Sequence, residues 1–192
     1  MSRHIGYLFI APAFVILFFT SIYPVAFSFY FSFFDWNWGN QENFIGLENY
    51  LFLLTDPEFW TVIYNTFVFA SVSCFLEVTI GIILAIFVDR IVFCSTVIRT
   101  ILILPLMVSG IIVSMISKIM FNNLFGVIPY GLKQIDIRSS FFGSTEAAMP
   151  TLIGVDVWWQ TSFVFIIILA SLQGIPNDTV DAAKIDGASE WD

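Results

Sequence analysis

One carboxylate in this 192-residue chain stands where a charge is energetically expensive. Glu77 lies in the middle of an apolar run over residues 60–88. An ionisable side chain inside an apolar segment of membrane length marks either a functional site or a pairing between helices. Two roles for Glu77 therefore stay open: a functional carboxylate, or a protonated or hydrogen-bonded group that faces a neighbouring helix.

A second polar group lies near the start of a later apolar run. Asp156 and Gln160 are four residues apart, so on a helix they share one face, and Trp158 and Trp159 stand between them. Asp156 and Gln160 could line a polar path through the protein, or they could mark a membrane interface. Together with the two indole rings they form a candidate surface on which a sugar could stack.

The remaining residue types exclude several kinds of chemistry. His4 is the sole histidine, and at the start of the chain an interfacial position is expected for it. No Cys/His cluster has metal-ligand spacing and no glycine-rich phosphate loop is present, so no metal, cofactor or nucleotide site is expected. An enzyme would have to use Glu77, Asp156 or Glu146 as acid or base without a nucleophile–base pair, so no catalytic residue is expected. Basic residues are not clustered, which argues against a nucleic-acid partner.

Membrane spans are the elements that position these residues. The chain is 58% hydrophobic, has 23 Phe and is only 11% charged. Its apolar residues come in runs of about 20 or more, a length that a bilayer span needs and a soluble core helix does not. We therefore expect an all-α integral membrane protein with about four transmembrane helices. The expected spans are residues 7–34, 60–88, 98–121 and 150–172, with one surface helix between 122 and 149.

The orientation of the spans follows from lysine and arginine. If the N-terminus is cytoplasmic, the inner segments hold Arg3, Arg90, Arg99 and Lys184, and the outer segments hold Lys133 and Arg138, with Lys118 at a span end. This bias is small, but the first outer loop, which has five acids and no base between Asp35 and Glu58, supports the same orientation. We expect a cytoplasmic N-terminus and a cytoplasmic C-terminal stretch.

The polar stretch after the last apolar run carries its own folding signals. Asn177 or Asp178 can cap a short helix, and Asp181 is then expected in the first turn, where the helix dipole favours an anion. Gly187 can adopt a positive φ and end that helix. Ser189 is typical of the N-cap of a second helix whose body is missing, so we expect the chain to be cut short within a functional element.

This stretch resembles the EAA loop of permease subunits from binding-protein-dependent ABC importers. The residues that carry the resemblance are Asp181, Ala182, Ala183, Asp186, Gly187 and Ala188. The preceding segment, residues 172–176, is similar to the carbohydrate-uptake branch of that family, which includes maltose and glycerol-phosphate permeases. Weaker matches follow in family order along the whole chain: Tyr23-Pro24, residues 44–50, residues 56–59, Asn65-Thr66, Gly81 with Ala85, Arg99, and Leu104-Pro105.

The resemblance implies a partial type I ABC importer permease fold, with residues 1–192 as one incomplete transmembrane domain. It implies that the coupling loop, residues 174–192, inserts into a cleft of a cytoplasmic ATPase. The implied partners are a second permease subunit, separate ATP-binding subunits that hydrolyse ATP, an extracytoplasmic solute-binding protein, a sugar substrate and the lipid bilayer. The implied location is the bacterial cytoplasmic (inner) membrane.

Two details of the family pattern bear on individual residues. Trp158 matches a tryptophan that helps to line the sugar site in the similar maltose permease, whereas Trp159 and Gln160 depart from that pattern. Asp181 stands where the family usually has Glu, which shortens the side chain but keeps its charge.

Other functions compete with a sugar permease. Within the family, the cargo could instead be an amino acid, a peptide or a polyol. Outside it, the chain could be an ion channel or membrane scaffold whose acidic loop attracts cations. Formation of a complex with an ATPase separates the permease from the channel and from the enzyme.

Overall fold

The computed structural model describes residues 3–37, 43–91, 94–135 and 141–187, and these residues are mostly helical. The chain divides into two compact units, Met1–Tyr64 and Asn65–Asp192. The long helix α4 begins in the first unit and continues into the second.

The first unit begins with one long apolar helix. α1 (Arg3–Leu17) continues through a π-helical turn (Phe18–Ile22) into α2 (Tyr23–Phe31). The stretch Phe9–Phe31 is long and apolar enough to cross a membrane. Pro24 cannot donate a backbone hydrogen bond, and in a regular helix its ring would crowd the carbonyl of Thr20. The wider π-helical turn before it relieves that conflict.

A short hairpin and a helix follow the first span. β1 (Phe34–Asp35) pairs antiparallel with β2 (Asn43–Phe44), and α3 (Glu48–Thr55) follows. The Asn49 amide donates to the carbonyl oxygens of Ser32 and Phe34 at 2.8 and 3.2 Å. The hydroxyls of Ser32 and Tyr50 share a 2.6 Å hydrogen bond. These bonds hold the first turn of α3 against the end of α2.

The second unit contains most of the remaining helices. Its elements are the greater part of α4 (Pro57–Arg90), then α5 (Ser95–Ile103), a 3-10 turn (Leu104–Met107), α6 (Gly110–Met120), α7 (Val127–Lys133), α8 (Thr145–Gln173) and α9 (Asn177–Ile185). α4 and α8 are each long and apolar enough to cross a membrane. α8 begins before the expected residue 150, because the Ser144 hydroxyl caps it by accepting from the Ala147 N–H at 3.2 Å.

α4 and α8 lie side by side and run in the same direction. Glu77 of α4 meets Asp156 of α8, and further along both helices Gly81 meets Val164. Further still, the buried core joins α4 and α8 through Ala85, Val88, Phe165 and Leu169. Because these contacts advance together along both helices, α4 and α8 are parallel.

Gly81 allows the two helices to approach closely. A Cβ atom at this position would lie 2.7 Å from Val164 Cγ1 and 3.3 Å from the backbone nitrogen of Phe165, so any side chain would force its neighbours to shift. Ala85, one turn later, is fully buried. Small residues four apart let the backbones of membrane helices come together. This explains why small residues stand at both positions.

Residues 98–121, expected as one continuous span, form two helices that meet at an angle of 93°. Pro105 lies in the 3-10 turn, where its ring and missing N–H prevent a regular helix from continuing. Val108 and Ser109 are extended, with ψ angles of 130° and 140°, and α6 begins at Gly110. We call the pair α5–α6 the broken span.

The broken span follows α8 from one end to the other. At the last residue of α8, Gln173 lies beside Arg99 of α5. In the middle of α8, Trp159 contacts Val108 at the break. α6 then lines a cavity together with the first turns of α8. α5 therefore runs antiparallel to the second half of α8, and α6 lies beside the first half of α8.

Candidate functional site

The two carboxyl groups for which a functional role is one of two predicted possibilities meet between α4 and α8. The side chains of Glu77 and Asp156 lie close enough to interact electrostatically. Two ionised carboxylates are both acceptors, so a hydrogen bond between these two groups forms only when one of them holds a proton. A pairing between helices is one of the two roles predicted for Glu77, and its partner is Asp156, for which a polar path and a membrane interface both stay open.

Two buried hydroxyls lie on these helices. Ser73 precedes Glu77 by one turn on α4 and is 3% exposed, and Thr161 on α8 is 7% exposed. Among the described residues, neither hydroxyl oxygen has a hydrogen-bond partner. Buried polar atoms of this kind are ones that ordered water or a polar ligand satisfies.

Sequence patterns did not single out Ser73 or Thr161. Ser73 is four residues from Glu77, a helical spacing that could have found it. Nothing in the sequence marks Thr161, because its burial depends on the register between α4 and α8.

Trp158 faces open space in the second unit. It is 57% exposed, and it lines an apolar cavity of about 540 Å³ between α6, α7 and α8. It also lines a second cavity of about 380 Å³, together with Thr161. An exposed indole beside a cavity offers the flat apolar surface that a stacked ligand needs.

Trp159 supports the broken span instead. Its Nε1 donates to the Val108 carbonyl oxygen at 3.1 Å. Its ring covers Gly110, where a Cβ would lie 2.9 Å from Trp159 Cη2. The bond satisfies a carbonyl group that the break removes from the helix, which matters where water is scarce. The indole N–H of Trp159 is therefore already engaged, and Gln160 next to it is half-buried.

The stretch expected to couple to an ATPase forms an exposed helix after α8. α9 begins at Asn177, and the Pro176 carbonyl already accepts from the Thr179 N–H at 3.0 Å. The expectation that Asp181 lies in the first turn is wrong: because the helix begins at Asn177, Asp178 occupies the first turn and Asp181 lies one turn later. Five residues of the expected coupling motif are exposed: Asp181, Ala182, Ala183, Asp186 and Gly187.

Gly187 ends α9 as expected. The Asp186 N–H donates to the Ala182 carbonyl at 3.0 Å, and Gly187 then adopts a φ of +88°. A positive φ at the residue after a helix is the usual glycine termination. Ala188 and the second helix expected from Ser189 lie outside the described residues.

A comparison with protein families identifies the class of this chain. Residues 77–192 match the family "binding-protein-dependent transport system inner membrane component", and the chain belongs to that family. It is 35% identical over 185 residues to the probable starch degradation products transport system permease protein AmyD of Thermoanaerobacterium thermosulfurigenes, covering 96% of this chain and 63% of AmyD. It is 32% identical over 190 residues to the trehalose/maltose transport system permease protein MalF of Thermococcus litoralis, covering 98% and 64%.

A solved structure shares the fold. The similar chain comes from a bacterial ABC transporter involved in the import of the acidic polysaccharide alginate, with a TM-score of 0.80 at 23% identity. The match covers 97% of this chain and 64% of that one. The expected fold, an all-α membrane protein with a partial type I ABC importer permease fold, is confirmed. The chain spans less than two thirds of the length of AmyD, MalF and the solved chain.

Proposed function

We propose that this chain belongs to the transmembrane subunit of an ABC importer for a sugar. The subunit crosses the bacterial cytoplasmic membrane several times and has a cytoplasmic N-terminus. The relatives AmyD and MalF are named as permease proteins of transport systems for starch degradation products and for trehalose and maltose. The observation that carries the proposal is α9, an exposed helix with the residues of an EAA loop, which directly follows the long apolar helix α8.

In this function α9 docks into a cleft of a separate ATPase. Asp181 and Asp186 give its exposed surface two negative charges, which suit a partner with basic groups. Ala182 and Ala183 are small and exposed, so a partner surface can come close to the helix. Gly187, with its φ of +88°, ends α9, and Ala188 completes the motif in the sequence. ATP hydrolysis belongs to the partner, and the permease chain contributes no catalytic group.

The sugar path includes the polar residues between α4 and α8. Sugar hydroxyls donate and accept hydrogen bonds, and the neighbouring carboxyl groups of Glu77 and Asp156 offer acceptors to them. Asp156 and Gln160 supply polar groups on α8, and Trp158 supplies an exposed aromatic surface beside them. Trp159 serves the same path by holding the break of the neighbouring span in place. A second permease subunit completes the path, and a solute-binding protein delivers the sugar.

Uptake into proteoliposomes tests this function. The complete gene product is reconstituted with the ATP-binding subunits, second permease and binding protein of the same organism, and labelled malto-oligosaccharides, amino acids and peptides are compared. We expect ATP-dependent uptake of the sugars. Trp158→Ala should lower it about tenfold, because a stacking contact of about 1.4 kcal/mol corresponds to a factor of ten. The exposed Phe125→Ala is the matched aromatic control. Uptake of amino acids or peptides alone, or ion conduction without ATP, would contradict the proposal.

A further inference from the structure

Arg99 makes a direct connection between α5 and the end of α8. With the Gln173 amide turned so that its oxygen faces the guanidinium, this oxygen accepts from Arg99 Nη2 at 2.7 Å and from Nη1 at 3.2 Å. Gln173 is the last residue of α8, and α9 begins four residues later. The two bonds therefore link the broken span to the segment that leads directly into α9.

The same two helices also pack through apolar side chains next to this link. Ile98 and Leu172, the sequence neighbours of Arg99 and Gln173, pack against the buried core of Ala85, Val88, Phe165 and Leu169. Apolar packing therefore holds α5 against the end of α8 independently of the hydrogen bonds between Arg99 and Gln173. Apolar contacts of this kind resist separation of the helices, whereas the two hydrogen bonds fix how one helix end is placed on the other.

The packing of α5 against α8 does not require a charged side chain at Arg99. Its side chain is half-buried, and its Nε is buried without a hydrogen-bond partner among the described residues. A partly desolvated guanidinium with an unsatisfied N–H destabilises the arrangement compared with an apolar residue of similar size. Packing alone therefore does not account for arginine at this position, and the bonds to Gln173 are the specific contribution that the guanidinium makes.

The far end of α5 meets a joint. Beyond the 3-10 turn, the chain is extended at Val108 and Ser109 and turns by 93° into α6. No helical hydrogen bonds cross such a break, and the Val108 carbonyl is held by the Trp159 indole instead. A shift at the Arg99 end can therefore move α5 as a rigid piece about this joint, while α6 keeps its place.

We propose that Arg99 is a positioning residue that passes movement of α9 to the broken span through its bonds with Gln173. The proposal rests on the function proposed above, in which α9 is moved by an ATPase. When the ATPase displaces α9, the displacement reaches Gln173, the Gln173 amide pulls on the guanidinium, and α5 turns about the joint at Val108 and Ser109. This movement rearranges the broken span beside the polar residues that lie between α4 and α8.

The test uses the complete gene product assembled with its ATP-binding subunits, second permease and binding protein in proteoliposomes. Sugar uptake, ATP hydrolysis, the amount of permease and the retained ATPase are measured for three variants: Arg99→Gln, Gln173→Leu, and the exchange Arg99→Gln with Gln173→Arg. Lys118→Gln, which removes an exposed cation from α6, is the matched control. A role through the pair predicts that the two single changes are not additive and that the exchange restores function.

We expect Arg99→Gln and Gln173→Leu each to lower uptake at least tenfold while permease amount, ATPase retention and ATP hydrolysis without cargo stay at the wild-type level. The exchange variant should recover at least a third of the uptake, and Lys118→Gln should retain all of it. Wild-type uptake in Arg99→Gln would overturn the proposal. So would a fall in uptake that merely follows a fall in the amount of assembled permease, since Arg99 would then be structural only. Failure of the unmodified protein to retain an ATPase is a different result, which removes the proposed function itself.

Discussion

Two carboxyl groups that meet inside a membrane protein cannot both be ionised without a large electrostatic penalty. Glu77 and Asp156 meet between α4 and α8. The packing of these two helices therefore brings together two side chains that are polar whatever their protonation state. The effect of a substitution at Glu77 on stability therefore depends on whether the new side chain can still interact with Asp156.

Glu77→Gln should be tolerated and Glu77→Leu should not. The glutamine amide can donate to the Asp156 carboxylate, whereas leucine leaves Asp156 without its partner, at a cost of about 1–3 kcal/mol. Thermal unfolding of the purified protein in detergent measures the difference. Thr79→Val, an exposed position on the same helix, is the control. Equal melting temperatures for the glutamine and leucine variants would show that the pair contributes nothing.

Substitutions at Gly187 test whether one backbone conformation, a positive φ, is needed after α9. At its φ of +88°, a β-branched residue is strained by about 1–2 kcal/mol, while asparagine adopts positive φ more readily. Gly187→Val should therefore misdirect the chain after α9 and abolish uptake, and Gly187→Asn should retain much of it. Both variants should reach the membrane in normal amounts, as measured by immunoblot of membrane fractions. Full uptake in the valine variant would mean that this termination has no role in coupling.

At the scale of helices, apolar runs predict where membrane-length helices form. α4 and α8 enclose the apolar runs at 60–88 and 150–172 and extend beyond both of their ends. The apolar run at 98–121 contains a break that its composition does not reveal, because an apolar composition does not depend on whether the helix continues. Pro105 and Gly110 lie in this run and are compatible with a break, but proline and glycine also occur in unbroken membrane helices.

Pairings between helices could not be predicted from one sequence. Glu77 and Asp156 are far apart in the chain, and their meeting depends on the parallel register of α4 and α8, which Gly81 and Ala85 set by close packing. The same register decides that Trp158 faces a cavity while its neighbour Trp159 holds the break. Helical periodicity separates these two side chains by about 100° but does not say which direction faces solvent or a neighbouring helix.

Gly81→Ala should loosen the contact between α4 and α8. The added Cβ would lie 2.7 Å from Val164 Cγ1 and close to backbone, so the helices must shift, at a cost of about 1–3 kcal/mol. Gly154→Ala on α8 is the matched control, since an added Cβ there meets nothing within 4 Å. Melting temperatures should fall for the first variant and stay equal or rise for the second. A fall in both, or in neither, would contradict the close approach at Gly81.

At the scale of the whole molecule, the order of the helices determines which loops share a side of the membrane. α7 lies between the broken span and the start of α8, and α9 follows the end of α8, so we expect α7 and α9 on opposite sides of the membrane. The lysine and arginine bias then predicts that α9 is the cytoplasmic one.

Cysteine labelling in cells tests this orientation. Cys74 and Cys94 are both exposed and must be replaced first, Cys94 by asparagine because its φ is +60°. Tyr130→Cys on α7 should react with an impermeant thiol reagent from outside, and Asp186→Cys after α9 should react only when the cells are opened. The reverse pattern would overturn the predicted orientation.

The most direct test of the coupling role is whether α9 holds the ATPase. Asp181→Lys reverses a charge on the exposed face of α9, outside the apolar spans, so membrane insertion should be unaffected. Tyr130→Lys, which adds the same charge on the exposed helix α7, is the control. The permease is purified from membranes under mild conditions, and the ATPase that comes with it is quantified beside ATP-dependent uptake. We expect Asp181→Lys to lose the ATPase and the uptake, and Tyr130→Lys to keep both. Normal ATPase retention and normal uptake in Asp181→Lys would contradict the account, because α9 would then be an ordinary solvated helix.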